Sequence, residues 1–253
     1  MPRFSEVEGY IHSVETMSAH DGPGLRYVVF FQGCPYSCLY CHNPDTRVFG
    51  LGQRVKAGDQ IQSILRYRNY LSGGVTLSGG EPLAQPHFAE ALANLCKENG
   101  LHCAIDTSGG VALSECKSAV DASDLVLLDF KNLLNVMVFQ HQGFDMENTW
   151  ALLDYCQSIN KKVWARYVVV PGLTVLFENE GELINDFETF LSVNSALVEG
   201  IERIKRSDCV EKIEFLPFHK MGEYKWKEQD LNYALADIDV PSENMVAWCQ
   251  KLI

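Results

Sequence analysis

The stretch on which the rest of this chain depends is Gly33-Cys34-Pro35-Tyr36-Ser37-Cys38-Leu39-Tyr40-Cys41-His42-Asn43-Pro44. It directly follows an apolar run, 27–31, that predicts a buried strand. Its three cysteines have the spacing Cys-x3-Cys-x2-Cys within eight residues. Three thiolates can ligate three irons of a cubane 4Fe–4S cluster and leave the fourth iron without a protein ligand. An open coordination position distinguishes catalytic metal centres from closed structural ones. We therefore predict a ligand-binding cluster held by Cys34, Cys38 and Cys41.

Three other kinds of site compete for the same residues. The segment 38–42 matches the Cys-x-x-Cys-His pattern of c-type haem attachment. Haem attachment of this type belongs to exported proteins, whereas we expect no apolar signal core at this N-terminus. It would also leave Cys34 unused. A zinc site that adds His42 is disfavoured because ligands at adjacent positions rarely converge on one ion. Disulfides are disfavoured in a reducing compartment.

Composition limits the class of protein. At 253 residues and 28.4 kDa, we expect a single domain over 1–253. A net charge of -12 argues against nucleic acid as the main partner, and no apolar stretch approaches the roughly 20 residues of a membrane span. The cysteines outside the loop are scattered singly, so we expect them to be buried as small apolar residues. We expect a cytoplasmic, reduced protein.

Apolar segments alternate with helical patterns along the chain. The predicted strands are 25–31, 73–78, 101–105, 125–128, 162–170 and 210–216, after a short one at 9–14. The first predicted helix begins at Asp59 and has an apolar side that reaches Leu71. The other predicted helices are 88–96, one around 149–159, two segments within 179–206, and 241–253. This alternation predicts a parallel α/β sheet. Because six repeats are too few for a closed eight-stranded barrel, we expect an open partial (β/α)6 TIM-like barrel with its core at about 20–220.

Each predicted strand ends in glycine or polar residues. They are the cysteine loop, Gly79-Gly80-Glu81, Asp106-Thr107, Asp129-Phe130-Lys131, Arg166 and His219. In barrel-like α/β folds the active site lies at the carboxyl ends of the strands. We therefore expect these side chains to gather around one site.

Longer phrases extend the pattern and resemble a known family. They are Asp21-Gly22-Pro23-Gly24-Leu25-Arg26, Phe31-Gln32-Gly33-Cys34, Tyr40-Cys41-His42-Asn43, the run from Ser72 to Pro82, and the run from Arg166 to Gly172. The cysteine loop together with Gly79-Gly80-Glu81 resembles the radical S-adenosylmethionine superfamily. The longer phrases resemble its glycyl-radical enzyme activases, in particular those of pyruvate formate-lyase. The resemblance runs from near residue 10 to His219, nearly the whole chain.

The resemblance implies a reaction, a partner and cofactors. The open iron of the cluster would chelate S-adenosylmethionine, and one electron from the reduced cluster would cleave its C5′–S bond. The resulting 5′-deoxyadenosyl radical would remove a Cα hydrogen from one glycine of the partner enzyme. Pyruvate formate-lyase is the implied protein substrate, and a small flavodoxin or ferredoxin is the implied electron donor.

The resemblance also implies residue roles. The implied contacts with S-adenosylmethionine are Tyr40, Cys41, His42, Gly79, Gly80, Glu81, Asp129, Phe130, Lys131 and His219. The two glycines would let the backbone approach the methionine amino group, which a Cβ would obstruct. A monovalent-cation site is implied at Asp106, Thr107, Asp129 and the Leu127 carbonyl, with a helix cap as the alternative for the first two. Asp21, His42 and Arg166 resemble the residues that receive the substrate's glycine loop, with a structural salt bridge as the alternative for the arginine.

Other functions were weighed against this one. An activase of another glycyl-radical enzyme is the first alternative, but 42–78 contains no cysteine and so no ferredoxin-like insert. A relative acting on a keto-acid formate-lyase stays open. An electron-transfer protein would need a fourth cluster ligand, and a metal-stabilised binding module is disfavoured because a barrel of this size needs no metal for stability. The segment 132–147 fits the family pattern loosely, and the segment 172–206 is longer than the family pattern leads us to expect.

Overall fold

The computed structural model describes residues 4–134, 144–179 and 182–253. Its strands are β1 (Glu8–Ser18), β2 (Arg26–Phe31), β3 (Gln53–Lys56), β4 (Gly74–Gly79), β5 (Cys103–Thr107), β6 (Leu125–Asp129), β7 (Lys162–Val169), β8 (Glu178–Asn179), β9 (Glu182–Leu183) and β10 (Val210–Pro217). Its helices are α1 (Ala57–Leu65), α2 (Pro86–Glu98), α3 (Leu113–Ala122), α4 (Met146–Ser158), α5 (Phe187–Val193), α6 (Ser195–Lys205), α7 (Glu223–Glu228) and α8 (Glu243–Gln250).

An open sheet organises the chain. Its strand order is β10-β7-β6-β5-β4-β2-β1-β3, and the six strands from β10 to β2 are parallel. At least one helix connects each of these strands to the next parallel one. The edge strands β10 and β3 are not neighbours, so the sheet does not close. This confirms the predicted α/β class with six parallel strands in an open arrangement.

One edge of the sheet is antiparallel and was only partly predicted. β1 is 11 residues long, longer than the predicted 9–14, because it pairs along most of β2. β3 pairs with β1 and has the polar sequence Gln53-Arg54-Val55-Lys56. Such a strand lacks the apolar alternation that sequence patterns detect, and its charged residues suit an exposed sheet edge.

The helices agree with the sequence pattern where a broad apolar face exists. α2 buries Phe88, Ala91, Leu92, Leu95 and Cys96 as predicted. The prediction was wrong at Leu71, since α1 ends at Leu65 and Leu71 lies beyond a short 3-10 turn. α3 was not predicted because its buried face consists of Cys116, Ala119 and Val120 only, a weak apolar signal.

The strands have two different faces. Ile105, Val126 and Ala165 belong to the large core beneath the helices. Their neighbours Ala104, Leu127 and Trp164 belong to a separate small cluster. This follows from the two-residue period of a strand. The six single cysteines are all buried, as expected: Cys96, Cys103, Cys116, Cys156, Cys209 and Cys249. In the part of the chain that the structure describes, no helix is both long and apolar enough to span a membrane.

Candidate active site

A cavity of about 260 Å³ lies at the carboxyl ends of the parallel strands. It is lined by these predicted site residues: Asp21, Cys34, Cys38, Tyr40, Cys41, His42, Gly79, Gly80, Glu81, Asp106, Thr107, Asp129, Lys131 and Arg166. Asp106, Asp129 and Arg166 continue the strand face that carries Ala104, Leu127 and Trp164, two residues further along each strand. Strand parity therefore directs these three polar side chains into the cavity.

The cysteine loop is held by backbone hydrogen bonds. Gly33 N donates to Thr46 O at 2.7 Å, Cys34 N to Arg47 O at 3.0 Å, and Cys41 N to Cys38 O at 3.2 Å. These bonds bring the three thiols to one wall of the cavity, and none of them is in a disulfide.

The chemistry of the three thiols suits a metal cluster. Burial raises the pKa of all three, to about 12 for Cys38, so without metal they are neutral thiols at pH 7. Metal binding supplies the charge that makes buried thiols ionise. Within residues 4–134, 144–179 and 182–253, no three His, Cys, Asp or Glu side chains are placed to hold a single metal ion. Thiols that are spread over one cavity wall fit a cluster, in which each ligand binds its own iron, better than the zinc alternative.

The two glycines after β4 are required by the protein's own backbone. A Cβ on Gly79, whose φ is +107°, would lie 2.3 Å from Phe31 N. A Cβ on Gly80 would lie 2.3 Å from Gly33 O, at the start of the cysteine loop. Close packing of β4 against β2 and the loop therefore already requires both glycines. Their predicted role beside the methionine amino group stays a prediction.

Glu81 joins the ends of two neighbouring strands. Its side chain is 1% exposed and accepts four hydrogen bonds, from Leu83 N, Thr107 Oγ1, Ser108 N and Ser108 Oγ, at 2.6–3.1 Å. Burial raises its pKa, and the hydrogen bonds oppose that rise. Because both carboxylate oxygens are occupied, Glu81 positions Thr107 and Ser108. Its backbone N–H also donates to Gly33 O at 2.9 Å, and its predicted cofactor contact stays a prediction.

Four charges of alternating sign meet in the cavity. Arg166 is 8% exposed, its Nε is 2.8 Å from Asp129 Oδ1, and its Nη2 pairs with Asp106 Oδ1. Lys131 Nζ is 2.8 Å from Asp129 Oδ2, and Ser78 Oγ donates to Asp106 Oδ2 at 2.8 Å.

This network bears on two predictions. The salt bridge considered as the alternative for Arg166 is present, with two partners. For the cation site, Asp106 and Asp129 already face positive groups, and the Thr107 hydroxyl donates to Glu81. A monovalent cation would have to share these oxygens, so that site stays a prediction.

Arg26 supports the site from outside the cavity lining, and the sequence assigned it no role. It is 0% exposed, and it donates from Nε to Thr76 Oγ1 at 2.5 Å and from Nη1 to Pro23 O at 3.1 Å. Thr76 Oγ1 in turn donates to Asp21 O at 2.6 Å. Burial lowers the pKa of Arg26 to about 10. The guanidinium thus fixes the loop that brings Asp21 to the cavity. The one sequence signal for this role was that Arg26 ends the family phrase Asp21 to Arg26.

The remaining side chains predicted to contact S-adenosylmethionine lie partly inside and partly outside the cavity lining. Tyr40 Oη donates to Lys131 O at 3.0 Å across the cavity. His219 lies outside the cavity lining, but its ring is in edge contact with His42 at 4.9 Å. The side chain of Phe130 lies outside the cavity lining. It packs in the core with its ring centre 4.8 Å from that of Trp150, because it faces the helices while Asp129 faces the cavity. Its predicted cofactor contact stays a prediction.

Comparison with known proteins gives close sequence relatives. A sequence profile for a family described as "4Fe-4S single cluster domain" matches residues 20–163. The chain is 34% identical to a pyruvate formate-lyase-activating enzyme of Listeria monocytogenes, over 98% of this chain and 97% of the relative. It is 39% identical to the enzyme of that name from Clostridium pasteurianum, over 92% of each.

A solved structure supports the fold independently. The radical S-adenosylmethionine methyltransferase TsrM from Kitasatospora setae superposes with a TM-score of 0.51 at 15% identity. The match covers 87% of this chain but only 39% of TsrM. The similarity is one of fold alone.

Proposed function

Because this chain belongs to the family of pyruvate formate-lyase-activating enzymes, we propose that it forms a glycyl radical in pyruvate formate-lyase by cleaving S-adenosylmethionine at a 4Fe–4S cluster. The observation that supports this best is the meeting of three free thiols from one loop with the Gly79-Gly80 turn and a balanced set of charges in one cavity. The chain is an enzyme of the radical S-adenosylmethionine class.

The cofactors and the chain have separate tasks. When bound, a reduced cluster and S-adenosylmethionine supply a 5′-deoxyadenosyl radical, which is chemistry that no side chain offers. Cys34, Cys38 and Cys41 would hold the cluster, which would bind S-adenosylmethionine and supply one electron to it. We assign the contacts with S-adenosylmethionine to Tyr40, His42 and Lys131, whose side chains line the same cavity.

We propose that Asp21 and Arg166 receive the partner's glycine loop. Both line the cavity, and each is held from behind, Asp21 by Thr76 through its carbonyl and Arg166 by two carboxylates. A peptide backbone entering the cavity would meet an acceptor and a donor already fixed in place, which lowers the entropy cost of orienting it.

The wider setting follows from the reaction. Cluster reduction needs a one-electron donor, and we assign this role to a small flavodoxin or ferredoxin in the cytoplasm. The buried single cysteines, none of them in a disulfide, support a reducing compartment.

The ligand assignment is tested with two cysteine variants. Cys38→Ala removes a proposed ligand, whereas Cys249→Ala removes a thiol on the buried face of α8. Each protein is reconstituted anaerobically with iron and sulfide and reduced, and its iron content and 5′-deoxyadenosine production are measured. Cys38→Ala should lose cluster and cleavage, and Cys249→Ala should keep both. Equal loss in the two variants, with circular dichroism showing both folded, would refute the assignment.

A further inference from the structure

The short helix α7 packs against the cysteine loop although it lies far from the loop in sequence. Trp226 is 185 positions after Cys41. No motif or predicted element covers 222–228, and the matched 4Fe–4S profile ends at residue 163. Three residues at the start of α7 contact the loop, and we call them the clasp: Gly222, Lys225 and Trp226.

Trp226 holds the loop at its last thiol residue. The indole is 0% exposed, and its Nε1 donates to Cys41 O at 2.9 Å. The same ring lies 5.7 Å from the central carbon of the Arg47 guanidinium, within the range of a cation–π contact. Arg47 O in turn accepts from Cys34 N at 3.0 Å. One buried ring therefore contacts the loop directly at Cys41 and, through Arg47, supports it at Cys34.

Lys225 holds the segment that follows the thiols. Its Nζ donates to Asn43 Oδ1 at 2.7 Å and lies 3.1 Å from Asp45 Oδ2. The side chains of Lys225 and Asp45 are each 18% exposed, so solvent screens this ion pair only in part. His12 on β1 lies 3.3 Å from the same Asp45 oxygen. The carboxylate of Asp45 therefore connects α7, the cysteine loop and the edge of the sheet.

Gly222 allows α7 to approach the loop closely. A Cβ at this position would lie 2.5 Å from the backbone oxygen of His42, the residue that follows Cys41. The φ of Gly222 is -86°, which any residue can adopt, so the need for glycine here is steric. A methyl group at position 222 would move α7 and the loop apart.

The rate at which a cluster is lost depends on how firmly its ligands are held. An iron leaves when a thiolate separates from it, and a loop that opens readily allows this more often. Removing an outer contact that orients a metal ligand typically costs about tenfold to a hundredfold in metal affinity. The clasp makes such contacts with the backbone of Cys41 and with the two residues that follow it.

We propose that the clasp holds the cysteine loop around a bound iron–sulfur cluster and thereby sets the rate at which the cluster is lost. This rests on the cluster proposed above. None of the three clasp residues lines the cavity. They act through the loop and are therefore positioning residues.

The test is the rate of cluster loss from the reconstituted protein. Each variant is loaded anaerobically with iron and sulfide and mixed with excess EDTA, and the visible absorbance of the cluster is followed as it decays. Trp226→Phe keeps an aromatic ring but removes the N–H that holds Cys41, and we expect loss about tenfold faster than in the wild type. Lys225→Met and Gly222→Ala should each accelerate loss about fivefold.

Two matched controls change the same kinds of side chain away from the loop. Trp248→Phe alters an indole of α8, whose ring centre lies 5.4 Å from that of Phe190. Lys227→Met removes an ammonium of α7 that is 73% exposed and paired with Glu223 at 2.7 Å. Both controls should lose the cluster within about twofold of the wild-type rate, since neither side chain holds the loop.

Urea unfolding of the metal-free variants separates the clasp from a general effect on stability. Loss of the cluster that is as fast in Trp248→Phe as in Trp226→Phe, or that follows the loss of stability across all variants, refutes the proposal. Unchanged rates in Trp226→Phe and Gly222→Ala also refute it and leave the enzyme function untouched.

Outcomes without a measurable rate are decisive as well. A folded Trp226→Phe that takes up no cluster, while Trp248→Phe does, supports the clasp. If Trp226→Phe does not fold, Lys225→Met decides, and an unchanged rate there refutes the proposal. A wild-type protein that takes up no cluster refutes this inference together with the proposed function.

Discussion

Four charged side chains balance one another inside the cavity. Burial opposes ionisation of Asp129, but Arg166 and Lys131 outweigh it and lower its pKa to about 2. For Asp106 burial prevails and raises the pKa, although Arg166 acts against the rise. Two acids on adjacent strands thus differ in proton affinity because one has two cationic partners and the other has one.

This difference predicts an acid-dependent loss of stability. The carboxyl of Asp129 has an ordinary pKa of 3.8 and a folded value of about 2. Its contribution to stability is therefore full above pH 3.8 and is lost as the pH falls through 2. The contribution is about 2 kcal/mol. Urea unfolding of the metal-free protein, followed by tryptophan fluorescence at pH 4.5 and 2.5, measures it.

The comparison is with Asp129→Asn. Asparagine does not take up a proton in this pH range, so the variant lacks the contribution of the Asp129 carboxylate at both pH values. Its free energy of unfolding should therefore fall less from pH 4.5 to pH 2.5 than that of the wild type. The same fall in both proteins would show that Asp129 is not the group responsible.

The loop at 19–25 is the element most dependent on a single side chain. Arg26 donates to the carbonyls of Pro23, Gly73 and Val75, and so connects the loop to the start of β4. Thr76 connects the same guanidinium to the Asp21 carbonyl. Asp21 is therefore held at its carbonyl by a hydroxyl group inside the sheet, and its carboxylate accepts a hydrogen bond from Ser18 Oγ at 2.5 Å.

Thr76→Val should separate two products of the reaction. The variant keeps the side-chain volume but removes the hydroxyl, so the Asp21 carbonyl loses this donor and the loop shifts at that point. Misplacement of a positioning group by about 1 Å can cost on the order of a hundredfold in rate. We expect glycyl-radical formation to fall at least tenfold, with 5′-deoxyadenosine production within about twofold of wild type, measured by EPR and chromatography.

A matched control is Ser123→Ala. Ser123 is 3% exposed and its hydroxyl donates to Val120 O at 2.8 Å, just before the amino end of β6 and outside the cavity lining. Its substitution removes a comparable buried hydrogen bond but should leave the ratio of the two products unchanged. An unchanged ratio in Thr76→Val as well would mean that the loop does not position the substrate.

Elements with a strong local signal could be predicted, and those defined by distant contacts could not. The apolar runs of β2, β4 and β6 and the apolar face of α2 are local patterns. By contrast, β3 owes its strand conformation to pairing with β1, more than 30 residues away in sequence.

The candidate site divides in the same way. Cys34 and Asp106 could be predicted because each lies at or just after the end of a strand, and Arg166 because a charge is unusual in an apolar strand. Arg26 and Ser108 could not, because their roles rest on hydrogen bonds to Thr76 and Glu81. Strand parity alone predicts that the Phe130 side chain faces the core, since its neighbour Asp129 faces the cavity. The family resemblance implied a cofactor contact instead.

Over the full chain, the sheet gathers residues from position 21 to position 166 at one end of its strands. A single large core runs from β1 to the C-terminal helix α8. That continuity supports the prediction of a single domain over 1–253, which stays a prediction. The segment 135–143, part of the region 132–147 that fits the family pattern loosely, lies outside the described residues.

The central claim is that this chain activates pyruvate formate-lyase through S-adenosylmethionine. The direct measurement is EPR of pyruvate formate-lyase after anaerobic incubation with the reconstituted, reduced protein and S-adenosylmethionine, with 5′-deoxyadenosine assayed in parallel. We predict a glycyl-radical doublet together with 5′-deoxyadenosine, and neither with Cys38→Ala. Cleavage without the doublet would point to another glycyl-radical partner. A fully loaded, reduced cluster that produces no 5′-deoxyadenosine would contradict the account.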